Sequence, residues 1–142
     1  MRLELDQRTE LAAQALMVLD VDDSGYQTGT DIADRLDISP DYLTKILAPL
    51  MREGWITSAP GRGGGYRLTK SLVDLCVLDL IEAVEGRVDR NRCMHGDSRN
   101  PPTELCRLHD PWVRARESLL RELEETPLAL ARLSSPRRES RQ

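Results

Sequence analysis

Two short helical patterns joined by a tight turn stand directly before a glycine-rich hairpin, and this order limits the possible folds more than any other feature of the chain. The first pattern covers 30–36. The second covers 41–53 and is preceded by Ser39 as the expected N-cap and Pro40 at the first helical position. Strand-forming residues then lie on both sides of a glycine-rich tip within 55–68. We therefore predict a winged helix-turn-helix, a mainly α fold with a small β-hairpin.

Further helices are expected before and after this unit. Apolar residues recur at helical spacing over 7–20 and 71–85, and a long amphipathic helix begins near Asp110. A short helix is expected in the sequence LALARL at 128–133. Pro49 lies inside the second helix of the pair and predicts a bend or an early end there, because proline removes a backbone donor.

Composition places the chain among reduced, intracellular proteins. Its 142 residues are enough for one domain with a real core. No apolar run approaches the roughly 20 residues of a membrane span, and the N-terminus lacks the apolar core of a signal peptide. Three cysteines are an odd number, which argues against a disulfide framework. We expect a cytoplasmic protein with no membrane contact.

The charge distribution indicates an anionic partner. The chain carries a net charge of −4, but the segment 42–70 holds five basic side chains and one acidic one. A compact basic segment inside an acidic chain is typical of a nucleic-acid-binding surface, although a merely solvated basic face is the alternative.

The helix pair and the hairpin supply the residues that we expect to contact double-stranded DNA. The second helix of such a pair enters the major groove and presents its outward, N-terminal residues. In the hairpin, Arg62 stands on a backbone of little bulk and could enter a narrow minor groove. The glycines also have a structural explanation, since tight hairpins need positive φ, and no Lys-Ser/Thr pair follows them as a phosphate-binding P-loop requires. The predicted contact residues are Ser39, Asp41, Tyr42, Thr44, Lys45, Arg62, Gly63 and Gly64.

A loop after the hairpin unit contains residue types that bind metals. Cys93, His95, Cys106 and His109 lie within one Pro- and Gly-containing stretch, and together they could form a tetrahedral zinc site. The two thiols could instead act as a reversible redox switch, or the loop could be inert. A thiol nucleophile with a histidine base is a further alternative, which would make the protein an enzyme. Cys76 lies in an apolar stretch and is expected to be a buried small hydrophobe.

The motifs "ISPDYLTKIL", "GRGGGYRLT", "LDLIEAVEG" and "CRLHDPW", with the opening "MRL", resemble the Rrf-two family of bacterial transcription regulators, of the IscR and NsrR type. The resemblance covers about residues 1–133. It implies a homodimer in which each C-terminal helix packs against its twin, an iron–sulfur cluster near the interface, and binding to imperfect palindromic operators.

The resemblance also implies a ligand set. Cys93 matches the first cluster cysteine of the family, Cys106 the last, and His109 the histidine ligand of IscR-like members. Glu10 stands near the position from which other members supply a carboxylate to the partner subunit. The family's middle cysteine is absent from this loop. Two thiolates with nitrogen and oxygen ligands would favour a [2Fe–2S] cluster that is labile or responsive to redox state.

These inferences give four regions and one expected function. The chain is expected to be a repressor whose affinity for DNA is controlled by an iron–sulfur cluster or redox state. A zinc- or thiol-based regulator is the alternative, and a module that binds another protein through the C-terminal helix is a further one. The regions are a winged helix-turn-helix domain (1–85), a cluster-binding loop (86–110), a dimerisation helix region (111–133) and a disordered tail (134–142).

Overall fold

The computed structural model describes residues 2–21, 25–92 and 107–130. Within these residues no helix is long and apolar enough to cross a membrane. Five helices and one two-stranded antiparallel sheet are present in this part of the chain. In chain order they are α1 (Gln7–Val21), α2 (Gly29–Leu36), α3 (Pro40–Arg52), β1 (Ile56–Ala59), β2 (Gly65–Leu68), α4 (Val77–Glu85) and α5 (His109–Glu125).

The α2–α3 pair is defined by local caps. The Thr28 side chain accepts a hydrogen bond from the backbone N–H of Asp31 at the start of α2. Asp37 ends that helix in the left-handed conformation, with φ of 56°. Ser39 caps α3 as predicted, and its hydroxyl accepts from the N–H of Tyr42 at 3.1 Å. The early end expected at Pro49 does not occur, because α3 continues to Arg52.

The hairpin formed by β1 and β2 is the wing of the fold, and it is anchored to the helical core. Ile56 pairs with Leu68 at its base, and Ala59 pairs with Gly65 near its tip. Tyr66 also exchanges two backbone hydrogen bonds with Gln27, at 2.7 and 2.9 Å. Because Gln27 lies between α1 and α2, these bonds fix β2 against the helix-turn-helix.

The region between the wing and α4 differs from the prediction. The expected helix over 71–85 begins only at Val77, and Cys76 is its N-cap. The Cys76 Sγ accepts from the N–H of Asp79 at 3.4 Å, and the Asp79 carboxylate accepts from the N–H of Cys76 at 2.9 Å. Cys76 is half-buried and acts as a helix cap, so the expectation of a merely apolar, buried residue was wrong.

The end of α5 also differs from the prediction. The chain leaves the helix at Thr126, and 127–130 form a bridge and a turn in place of the expected short helix. Leu128 donates its N–H to the carbonyl of Leu75 at 2.8 Å, and its side chain is buried. Residues 131–133 of that predicted helix lie outside the described residues. Backbone hydrogen bonds to the segment before α4 are therefore formed here in place of the hydrogen bonds of a helix.

One hydrophobic core holds α1 to α4 together, and it includes Leu128, three positions after the end of α5. The side of α3 with apolar residues at helical spacing faces inward, which leaves its polar side exposed. Among the described residues, the largest fully buried apolar side chains are Leu16, Ile32, Leu43, Leu47, Leu50, Leu72, Leu80 and Leu128.

Candidate nucleic-acid interface and metal site

The exposed face of α3 carries the predicted major-groove residues. Asp41, Thr44 and Lys45 are exposed, because the apolar residues between them face the core. Tyr42 is half-buried and packs against the core. Its ring therefore supports the helix, while the other three side chains remain accessible to a ligand.

The hydroxyl groups of α3 already have local partners, which limits what each can offer to DNA. The Ser39 oxygen accepts the N–H of Tyr42, so its O–H is still available as a donor to a phosphate. The Thr44 hydroxyl donates to the carbonyl of Pro40 at 3.1 Å, so Thr44 can only accept. Base amino groups in the major groove are donors that fit such an acceptor.

The wing tip combines an exposed cation with a tightly folded backbone. Gly61 and Gly63 adopt positive φ of 80° and 72°, and Arg62 between them is exposed. Gly64 is buried, and a Cβ there would lie 2.8 Å from the carbonyl oxygen of Pro60. Gly64 therefore allows the tip to close, which is a structural role; direct contact of Gly63 or Gly64 with DNA stays a prediction.

Two further cations on the wing side of the molecule were not among the predicted contacts. Arg67 is exposed within β2, and Lys70 is exposed just after it. The alternation of side chains along β2 could have indicated that Arg67 is exposed. Tyr66 and Leu68, on either side of it, pack against the core, so Arg67 lies on the opposite face of the strand. Both cations belong to the basic segment that indicated an anionic partner.

The basic side chains of this segment are free to bind an anion. All five are exposed, and within the described ranges none forms an ion pair with a carboxylate. Unpaired cations on one helix, on the adjoining hairpin and just after that hairpin attract a polyanion. These residues are Lys45, Arg52, Arg62, Arg67 and Lys70.

The predicted metal ligands are only partly within the described structure. Cys93, His95 and Cys106 lie outside the described residues. Glu10 is exposed in the first turn of α1, and His109 opens α5. In the described part of the chain, no group of three or more His, Cys, Asp and Glu side chains could hold a metal ion.

His109 has the one feature in the described structure that fits a metal-bound imidazole. Its Nδ1 is buried and makes no hydrogen bond. Buried polar atoms without a partner are rare, and a neutral imidazole nitrogen is a common metal ligand. Its position three residues after Cys106 agrees with the chemistry of a mixed thiolate and imidazole site.

Comparison with protein families decides the class of the molecule. The family model of Rrf2, an iron-dependent transcriptional regulator, matches residues 5–131. The chain belongs to the Rrf2 family. This confirms the family that the sequence motifs indicated, which is a family of transcriptional regulators and not of enzymes.

Curated Rrf2-type relatives share about a third or more of the aligned residues. The regulator IscR of Vibrio atlanticus is 37% identical over 82 residues, which are 58% of this chain and 47% of that protein. Protein rrf2 of Nitratidesulfovibrio vulgaris is 33% identical over 99 residues, 70% of this chain and 66% of that protein. The chain spans about half the length of several of these relatives, for example 49% of a helix-turn-helix regulator of Azotobacter vinelandii.

Solved structures of two regulators share the fold. CymR, the global cysteine regulator of B. subtilis, superposes with a TM-score of 0.71 at 21% identity, covering 90% of this chain and 95% of CymR. The IscR of T. potens gives 0.69 at 24% identity, covering 89% and 84%. These likenesses confirm the predicted winged helix-turn-helix with a C-terminal helix.

Proposed function

We propose that this Rrf2 regulator is a cytoplasmic, homodimeric repressor whose affinity for imperfect palindromic DNA is set by a [2Fe–2S] cluster. The proposed ligands are Cys93, Cys106, His109 and Glu10 of the partner subunit. The observation that carries the cluster is the buried, unpartnered Nδ1 of His109. The observation that carries the DNA contact is the group of unpaired cations on α3 and the wing.

When bound, the cluster would be held by the four proposed ligands, and this coordination would change when the cluster is oxidised or loses a ligand. In this chain, α5 is the element that connects such a change to the DNA-binding unit. His109 lies at its first residue, and α5 packs on α4. Beyond its last residue, Thr126 accepts a hydrogen bond from the N–H of Val77 at 2.9 Å.

The segment reached by α5 is the one that follows the wing. Ala129 donates to the carbonyl of Leu72 at 3.2 Å, four residues after β2 ends. A change in how His109 is held would shift α5 and, through these backbone bonds, the base of the wing. The cluster-loaded and cluster-free arrangements can differ in DNA affinity only if they differ in the free energy of binding DNA. A difference of about 1.4 kcal/mol corresponds to a tenfold change in Kd.

The cluster is tested by spectroscopy on protein purified without oxygen. We expect absorbance between about 320 and 460 nm, with bound iron and sulfide. The absorbance should be lost in Cys93→Ala and Cys106→Ala and weakened in His109→Ala and Glu10→Ala. Cys76→Ser is the matched control, because Cys76 caps α4 and is not among the proposed ligands, and it should keep the colour.

A colourless, iron-free protein after reconstitution would contradict the cluster. Zinc in the same sample would then identify the tetrahedral zinc alternative, in which His95 joins the other loop ligands. Absence of both metals would leave thiol sensing or an inert loop.

The link to DNA is tested on a duplex selected by the protein from a random-sequence pool. Fluorescence anisotropy would give the Kd of the cluster-loaded and the cluster-free protein. We expect the two values to differ by about tenfold or more, as coupling free energies of 1–3 kcal/mol allow. Equal values would contradict control by the cluster.

A further inference from the structure

Two side-chain contacts join the end of the 86–92 segment to α5. The Arg116 Nη1 donates to the backbone carbonyl of Arg92 at 2.5 Å. The Arg90 Nη1 lies 3.4 Å from the Glu117 Oε2. Two adjacent residues of α5, Arg116 and Glu117, therefore hold the segment that leads to the proposed cluster cysteines.

The two contacts are not equal. Arg90 and Glu117 are 47% and 46% exposed, so water and salt screen their attraction. Arg116 is half-buried, and its hydrogen bond to a carbonyl is charge-assisted. Arg116 is therefore the residue that defines this junction.

Arg116 also has an unused donor. Its Nε is buried and makes no hydrogen bond, which is also true of the His109 Nδ1. No other buried side-chain nitrogen or oxygen of the described residues lacks a partner. The two residues are seven positions apart, which is two turns along one face of α5, and helical side chains lean toward the N-terminus. Both unused atoms thus lie along the same face.

We propose that Arg116 is a positioning residue for the centre at His109, an inference that rests on the proposed function. Through Arg92 it holds the entry of the loop on the α5 face that carries His109. Its charge and its free N–H favour an anionic, thiolate-ligated group on that face. An arginine suits this role because its planar fork can donate in two directions at once.

The test compares two glutamine substitutions on the same helix. Arg116→Gln removes the charge and the fork, whereas Arg114→Gln removes the same charge from the exposed side of α5. In air, the visible absorbance of Arg116→Gln should decay about tenfold faster than in the wild type, as for other outer-shell partners of metal ligands. Arg114→Gln should match the wild type. Arg116→Lys, which keeps the charge and one donor, should fall between them.

A second readout does not need the cluster. In the cluster-free protein, amide hydrogen exchange in 87–92 should be faster in Arg116→Gln than in the wild type or Arg114→Gln. Unchanged exchange, or an unchanged decay rate in a coloured protein, would overturn the role of Arg116. A colourless, iron-free wild type would instead contradict the proposed function, and the role of Arg116 with it. The unfolding temperature and the mass in solution check that the variants keep their fold and assembly.

Discussion

The guanidinium of Arg62 extends from a turn whose backbone conformation favours glycine on both sides of it. Gly61 and Gly63 hold φ values open to few other residues, and buried Gly64 donates its N–H to the Gly61 carbonyl at 3.1 Å. The tip thus presents one long cation, and the glycines on either side of it add no side chain that would obstruct its approach to a groove. Arg62 is therefore the residue through which the wing should bind DNA.

Arg62→Ala should raise the Kd for the selected duplex about tenfold. It should also lower the slope of log Kd against log salt concentration by about one, because one fewer counterion is released on binding. The thermal unfolding temperature should not change, because Arg62 is exposed and makes no ion pair with the described residues. Arg114→Ala is the control, since it removes the same charge from an exposed site on α5. Anisotropy titrations at several salt concentrations measure both quantities. If Arg62→Ala bound DNA like the wild type, the wing would not be part of the interface.

At the scale of elements, the start of α4 shows how a local signal can mislead. Leu72 and Leu75 have helical spacing, but they are buried in a turn that receives backbone bonds from 128 and 129. Cys76 then opens the helix by a reciprocal pair of hydrogen bonds with Asp79. Burial raises the pKa of the Cys76 thiol, so the thiol stays protonated at neutral pH and is a poor nucleophile.

Cys76→Ala should lower the free energy of unfolding by about 1 kcal/mol, because the first N–H groups of α4 lose a side-chain acceptor. Cys76→Ser should be as stable as the wild type or more so, since a serine oxygen is a better N-cap than a thiol. Chemical denaturation of the two variants measures the difference. Equal stability of the alanine and serine variants would show that the Asp79 half of the pair suffices.

Elements whose signals are local could be predicted, and those fixed by distant contacts could not. Ser39, Pro40 and the apolar spacing of α3 define that helix within a few residues, and the turn glycines define the wing. The pairing of Gln27 with Tyr66 and the turn at Leu128 depend on partners far along the chain. The predicted metal ligands of the loop are equally hard to assign from sequence. Their residue types suggest that a metal binds, but the kind of metal depends on which of these side chains come together in the folded protein.

At the scale of the whole molecule, α5 has two different sides. Leu120 is buried, on a helix that packs against α4. A second apolar stripe is only partly covered, with Leu108 and Leu119 53% and 47% exposed and Trp112 and Leu123 half-buried. Such a stripe on a C-terminal helix is suited to packing against a second copy, and a two-fold dimer would present two α3 helices to a palindromic site.

Leu119→Glu should therefore convert a dimer into a monomer, because it places a charge in the centre of the stripe. Sedimentation should give twice the chain mass of 16.1 kDa for the wild type and a single chain mass for the variant. Affinity for the palindromic duplex should fall about a hundredfold or more, since the two half-sites are no longer bound by linked subunits. Ser118→Glu adds the same charge to an exposed site on another side of α5 and should remain dimeric. A monomeric wild type would contradict the dimer and favour a helix that binds another protein, whereas a dimeric Leu119→Glu would place the contact between subunits elsewhere.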